Sequence, residues 1–170
     1  TFAALNMANA YVAGGGYLEG MVAQEENMYR RSDCHIALDP RHLKSIPSGT
    51  APEAYWYTDE MSGLINGRDG RVYLDVERPR VCIRGPEQRE RADLGYRWYG
   101  EDEIFSFYEL KAAAVDLRDG SPFDAEACRR RVDAQLETMV EAGVRWAVLG
   151  AHGCGAFRNP AESVADIYAA

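Results

Sequence analysis

Apolar residues fall along this chain in short clusters whose period changes from segment to segment, and their order predicts strands alternating with helices. Residues 2–5 (Phe2, Ala3, Ala4, Leu5) form a continuous apolar run short enough for a buried strand, and residues 6–16 read as a loop. Residues 17–31 then read as a helix. Residues 32–70 look irregular and insertion-like, punctuated by Pro40, Pro47, Pro52, Asn66-Gly67 and Asp69-Gly70. Alternation predicts strands over 71–76 and 81–84 and a further strand over 108–117.

The clearest helix signal covers 124–142. There Ala127, Val132, Leu136, Met139 and Val140 repeat at helical spacing against Arg129, Arg130, Arg131 and Glu137, with Gly143 as the stop. Residues 145–149 (RWAVL) predict a strand, 150–157 a glycine-bearing loop, and 161–169 a last helix with Pro160 in its first turn. The alternation specifies the α/β class, a mixed sheet covered by helices.

Composition narrows the picture. One domain of 170 residues accommodates a single core, and 46% hydrophobic with 27% charged residues is the balance of an ordered protein. A net charge of −8 argues against broad binding to nucleic acid phosphates or an acidic membrane, so an anionic ligand must be held locally by loops and helix ends. Cys34, Cys82, Cys128 and Cys154 are widely separated and contain no CxxC pair, which reads as reduced thiols in a cytoplasmic, soluble protein. The chain starts at Thr1 inside an apolar stretch and stops at Ala170 inside a helix-like pattern, so both ends read as cut.

Two segments carry candidate chemistry. Gly14, Gly15 and Gly16 are followed, seven residues on, by Gln24, Glu25 and Glu26. Successive glycines allow backbone amides to approach a ligand closely, and carboxyl groups a short step away supply acid chemistry. Alone, a glycine triplet is usually a turn and Glu-Glu on a helix a solvated face; the conjunction suggests a hydrolase. The second segment, Gly150-Ala151-His152-Gly153-Cys154-Gly155-Ala156-Phe157, lies between an apolar strand and a helix, where backbone N–H groups and a helix dipole cradle phosphate. It is neither a Walker loop nor a dinucleotide fingerprint. Two such loops at strand ends lie together on the carboxyl edge of a sheet, where a cleft can take a diphosphate.

Other residues have plainer readings. Cys154 has no orienting histidine at motif spacing and fits as a small residue. His35, His42, Cys34 and Cys82 match no zinc template, so no metal is expected. Tyr55, Trp56, Tyr57, Tyr96, Trp98 and Tyr99 are candidates for stacking on adenine and, more simply, for packing.

The stretch LNMANAYVAGGGYLEGMVAQEE resembles the signature of the microbial poly(ADP-ribose) glycohydrolase macrodomains, GGG followed by six to eight residues and QEE, and WAVLGAHGCGAFRNP resembles that family's diphosphate loop. The resemblance implies a macrodomain-like three-layer α/β/α sandwich, truncated at both ends, that binds ADP-ribose and cleaves the ribosyl glycosidic bond of poly(ADP-ribose) without a cofactor. It implies that Glu26 is the catalytic acid, that Glu25 holds ribose hydroxyls, that Gln24 supports both, and that Asn9 contacts the terminal ribose. Gly14, Gly15 and Gly16 then pack near that ribose. Gly150, Ala151, His152, Gly153, Cys154, Gly155 and Ala156 wrap the diphosphate, and Phe157 positions the sugar.

Relatives of this type carry further elements before and after the matching region, so adenine contacts are unassigned, and His152 stands where a bulkier aromatic is common. Glycoside cleavage needs one carboxyl to protonate the leaving oxygen, and adjacent helix residues point about 100° apart. A division into clamp and acid follows. ADP-ribosylated protein is the alternative substrate, and a non-catalytic ADP-ribose reader the alternative role; a monomer is expected.

Overall fold

In a computed structural model of the chain, residues 1–44, 55–91 and 95–170 are described. Pro47 and Pro52, two of the marks of the irregular segment, fall outside them. The core is a mixed five-stranded sheet with strands β1 (Ala3–Met7), β2 (Tyr73–Leu74), β3 (Arg80–Cys82), β4 (Phe105–Ala112) and β5 (Ala147–Val148). The order is β2-β4-β1-β5, with β3 also pairing β4. β1 runs parallel to β4, with Ala3 opposite Tyr108 and Met7 opposite Ala112, and parallel to β5. β2 and β3 are antiparallel to β4.

Helices cover both faces, giving the three layers expected. On one face Ala3, Leu5, Leu110 and Ala112 pack with Ala134 and Met139 of α3 (Ala125–Glu141), and α4 (Ala161–Ala169) packs behind it through Val132, Val164 and Ile167. On the other face Phe107 and Cys82 meet Tyr29 of α1 (Gln24–Arg31). Strand alternation therefore places Glu109 and Lys111, two and four residues after Phe107, under α1.

Several expected boundaries move. The helix expected over 17–31 begins only at Gln24, because Gly20 turns left-handed (φ 81°) and the Gly16 carbonyl accepts from both Glu19 and Met21 amides. The strand expected over 108–117 ends at Ala112, level with the end of β1; beyond it the Ala113 amide turns to the Ile65 carbonyl. The segment read as irregular contains a 3-10 turn at Pro40–His42 and a helix, α2 (Asp59–Ile65), capped by the Thr58 hydroxyl.

The apolar face assigned to α3 is also rotated. Cys128, Val132, Ala134, Gln135 and Met139 are buried, whereas Leu136 and Val140 are exposed. Arg131 leaves the polar face it was assigned to and donates to Asn66 Oδ1 and the Ala113 carbonyl, both at 2.7 Å, tying α3 to the end of α2. No described helix is long and apolar enough to cross a membrane.

Candidate active site

The two glycine-bearing loops follow parallel strands β1 and β5, so both emerge at the carboxyl edge of the sheet. Between them lies a cavity of about 790 Å³. Asn9, Gly15 and Gly16 line it from the first loop, Gln24, Glu25 and Glu26 from the start of α1, and Gly153, Gly155, Ala156 and Phe157 from the second loop. A second cavity of about 630 Å³, floored by Phe2, Phe105 and Phe107, opens on the α1 side of the sheet and contains neither acid of the pair.

The acid pair is held by the first loop. Glu25 is 3% exposed, and each of its oxygens accepts a backbone amide: Oε2 from Asn9 at 2.7 Å and Oε1 from Gly14 at 3.1 Å. Glu26, 6% exposed, accepts from the Gly16 amide through Oε1 at 3.0 Å. The glycines are required by this closeness. A Cβ on Gly15 (φ 55°) would lie 2.5 Å from Glu26 Oε1, and one on Gly14 (φ 76°) 2.5 Å from the Tyr29 ring.

Gln24 pins the helix to the sheet. Its amide donates to the Leu5 carbonyl at 2.7 Å and its carbonyl accepts from the Met7 amide at 2.9 Å, replacing a strand partner where β5 has ended. Asn9 Oδ1 accepts from the Tyr11 and Val12 amides and so shapes the turn, which leaves its Nδ2 as the group it can offer a ligand. Burial is the main influence on Glu25 and pushes its carboxyl up to about 8; the Asn9 amide and the Lys111 charge pull against it, and the Glu26 charge adds to the rise.

The second loop is organised by Asn159, whose Nδ2 donates to the carbonyls of Val115 (2.8 Å) and Gly153 (3.1 Å). Gly153 (φ 76°) has no room for a side chain: a Cβ would meet Ala114 and Asn159, each at 2.5 Å. Opposite Phe157, the Arg118 guanidinium stands 5.1 Å from the ring centroid and pairs with Asp116. Arg118 also lines the cavity, as do Tyr55 and Trp56. Neither Asn159 nor Arg118 was singled out by sequence; the Asn-Pro pair ahead of the last helix was the available signal for the first, and none existed for the second.

Not every expected ligand residue reaches the cavity. The His152 ring is turned into the core, with Nδ1 3.2 Å from Gln135 Nε2 and Nε2 3.2 Å from the Ala112 carbonyl, so its side chain cannot contact a diphosphate in the cavity. Burial lowers this imidazole to about 4. Gly14 lies under the first loop as a donor to Glu25, and Gly150, Ala151 and Cys154 do not line the cavity. Among the aromatics, Tyr57 is buried in the core, and Tyr96, Trp98 and Tyr99 lie away from the cavity, with Arg84 stacked 4.0 Å over Trp98.

Residues 1–61 match the family model for the microbial-type PARG, catalytic domain, the region that contains the GGG and QEE motif. Solved structures share the fold. The poly(ADP-ribose) glycohydrolase from Thermomonospora curvata matches with a TM-score of 0.62 at 23% identity, over 99% of this chain and 55% of that one. The same enzyme bound to the inhibitor ADP-HPD gives 0.61 at 22%, over 99% and 57%. The Deinococcus radiodurans poly(ADP-ribose) glycohydrolase in complex with ADP-ribose gives 0.60 at 26%, over 99% and 61%. The chain thus spans less than two thirds of the length of these structures. No curated protein sequence matches it. The macrodomain-like α/β architecture implied by the two motifs is the architecture found.

Proposed function

We propose that the chain is an ADP-ribosyl glycohydrolase that cleaves the ribosyl O-glycosidic bond of poly(ADP-ribose). The observation that carries this reading is the convergence in one cavity of the acid pair, Gly15 and Gly16 of the triplet, and the second loop with Phe157. Both Glu25 oxygens are engaged by backbone amides, which fixes that side chain in place, while Glu26, with only Oε1 engaged, offers a carboxyl oxygen free to act on a bound ligand. In this mechanism Glu26 protonates the leaving oxygen as the ribose develops oxocarbenium character, and Glu25 holds the ribose through its hydroxyls. Water then adds to the ribose and returns a proton to Glu26.

The exposed backbone of Gly155 and Ala156 presents N–H groups to the diphosphate, and Arg118 adds a cation beside it. Phe157, fixed by its carbonyl to the Leu117 amide at 3.1 Å, packs against the terminal ribose.

The test is ADP-ribose release from poly(ADP-ribose) and from mono-ADP-ribosylated protein, alongside calorimetric binding of ADP-ribose, for this chain and Glu26→Gln. Release from polymer by the unsubstituted chain, reduced at least about a hundredfold in the variant with binding retained, is expected for a general acid. Binding without release by the unsubstituted chain would make the protein a reader of ADP-ribose. Release only from mono-modified protein would move the substrate to that class.

A further inference from the structure

The cavity that holds the acid pair has two walls of different chemistry. The second loop brings the exposed backbone of Gly155 and Ala156, with Arg118 beside the Phe157 ring, and this wall suits phosphate. The other wall hangs on the first loop. Tyr55 and Trp56 line it, each 44% exposed, together with Leu18 and Met21. Among the described residues that line the cavity, Arg118 is the one cation, while Glu19 of the first-loop side joins Glu25 and Glu26 as a third acid.

The backbone beneath the aromatic pair is fixed on both edges. The Ala13 amide donates to the Tyr55 carbonyl at 2.9 Å and the Tyr57 amide to the Tyr11 carbonyl at 2.8 Å, while the Lys44 amide donates to the Trp56 carbonyl at 2.8 Å. Trp56 thus stands opposite Val12, just ahead of the glycine triplet. Tyr57 is buried in the core and anchors the segment, and alternation turns Trp56 the other way. An indole left half open on a fixed backbone offers a flat apolar face at little cost in ordering. What such a wall takes is planar and uncharged: a phosphate there would meet acids and no cation, whereas a nucleobase buries its face on the ring without any charge.

We propose that Tyr55 and Trp56 form a subsite for the adenine of the departing unit of poly(ADP-ribose), and so select polymer over ADP-ribosylated protein. The inference rests on the glycohydrolase reading for the direction of cleavage, but the stacking it asserts can be read without turnover. Glu26 stands at the bond to be broken, and the ADP-ribosyl group runs from there along the second loop. The departing group lies on the other side of that bond, where the first-loop wall receives it. In the polymer this group is a ribose hydroxyl of the next adenosine, so it carries a base. A mono-modified protein presents an amino-acid side chain instead and gains nothing from the ring.

The experiment compares ADP-ribose with the two-unit polymer as ligands of the Glu26→Gln chain, by calorimetry, with and without Trp56→Ala. Trp56→Ala is expected to weaken binding of the two-unit ligand about tenfold or more while ADP-ribose stays within about twofold, and Trp56→Phe to recover most of the loss. With Glu26 in place, kcat/KM on polymer falls by the same factor in Trp56→Ala, and release from mono-ADP-ribosylated protein does not change. Should Trp56→Ala fail to fold, the fluorescence of a chain carrying Glu26→Gln, Trp98→Phe and Trp146→Phe decides, because Trp56 is then the remaining indole. There the two-unit ligand at saturation quenches well beyond ADP-ribose. Binding of the two-unit ligand that is equal with and without the ring overturns the inference, as does equal quenching by both ligands. An equal loss of affinity for both ligands overturns it too, since that would seat the adenine of ADP-ribose itself on Trp56. Absence of release by the unsubstituted chain, with the Trp56-dependent preference for two units intact, overturns the glycohydrolase reading instead.

Discussion

His152 shows what burial does to one residue of a functional loop. Its Nδ1 accepts from the Gln135 amide and its Nε2–H donates to the Ala112 carbonyl, a pairing that only the neutral imidazole satisfies. Gln135 in turn accepts from the Tyr168 hydroxyl at 2.7 Å, so one neutral ring links α4, α3 and the second loop to the end of β4. An imidazole lowered from 6.5 to about 4 in the fold takes up its proton later than in the unfolded chain. The unfolded state therefore binds more protons between those two values, and stability falls as pH drops through that window. The expected loss is about 3 kcal/mol, from a shift of about 2.5 units at 1.36 kcal/mol each. Denaturant unfolding between pH 7 and pH 4 tests this: His152→Gln should show a shallower decline by that amount, and equal slopes would remove His152 from the acid response.

At the scale of elements, α2 is held by its ends. Thr58 Oγ1 accepts from the Met61 amide at 3.2 Å, Asp59 and Glu60 occupy the first turn, and Asn66 closes the last with its side chain on the Ser62 carbonyl. Thr58→Ala should cost about 1 kcal/mol in urea unfolding, the usual worth of such a cap. A loss within about 0.2 kcal/mol would show the helix to be held by packing of Met61 and Ile65 alone.

The Thr58 cap, the acidic first turn and the Asn66-Gly67 stop were present in the sequence, but the surrounding glycines and prolines outweighed a helix of only seven residues. The glycine triplet, the QEE acids and the second loop were legible because their spacing is local. Lys111, Glu109 and Arg80 were not: alternating charged residues on a strand read as a solvated face until β2, β3 and α1 close over them. The same reason hid Arg118, which enters the cavity by chain reversal after β4 rather than by motif. For α3 the period was right and the phase wrong, since Gln135 and Cys128 face inward where Leu136 and Val140 were expected.

Over the molecule as a whole, large apolar side chains lie exposed on and next to β5. Among the described residues β5 is the last strand in that direction; Trp146 and Val148 are 74% and 59% exposed there, and Val140 is 73% exposed on α3. An edge strand with apolar side chains is a template for further pairing. Light scattering of the unsubstituted chain should therefore rise with concentration beyond the monomer value. Trp146→Lys with Val140→Lys should suppress that rise while ADP-ribose binding stays within about twofold, because neither side chain lines the site and surface charge opposes association. A chain that scatters as a monomer at all concentrations would show that the two-residue length of β5 already blunts the edge.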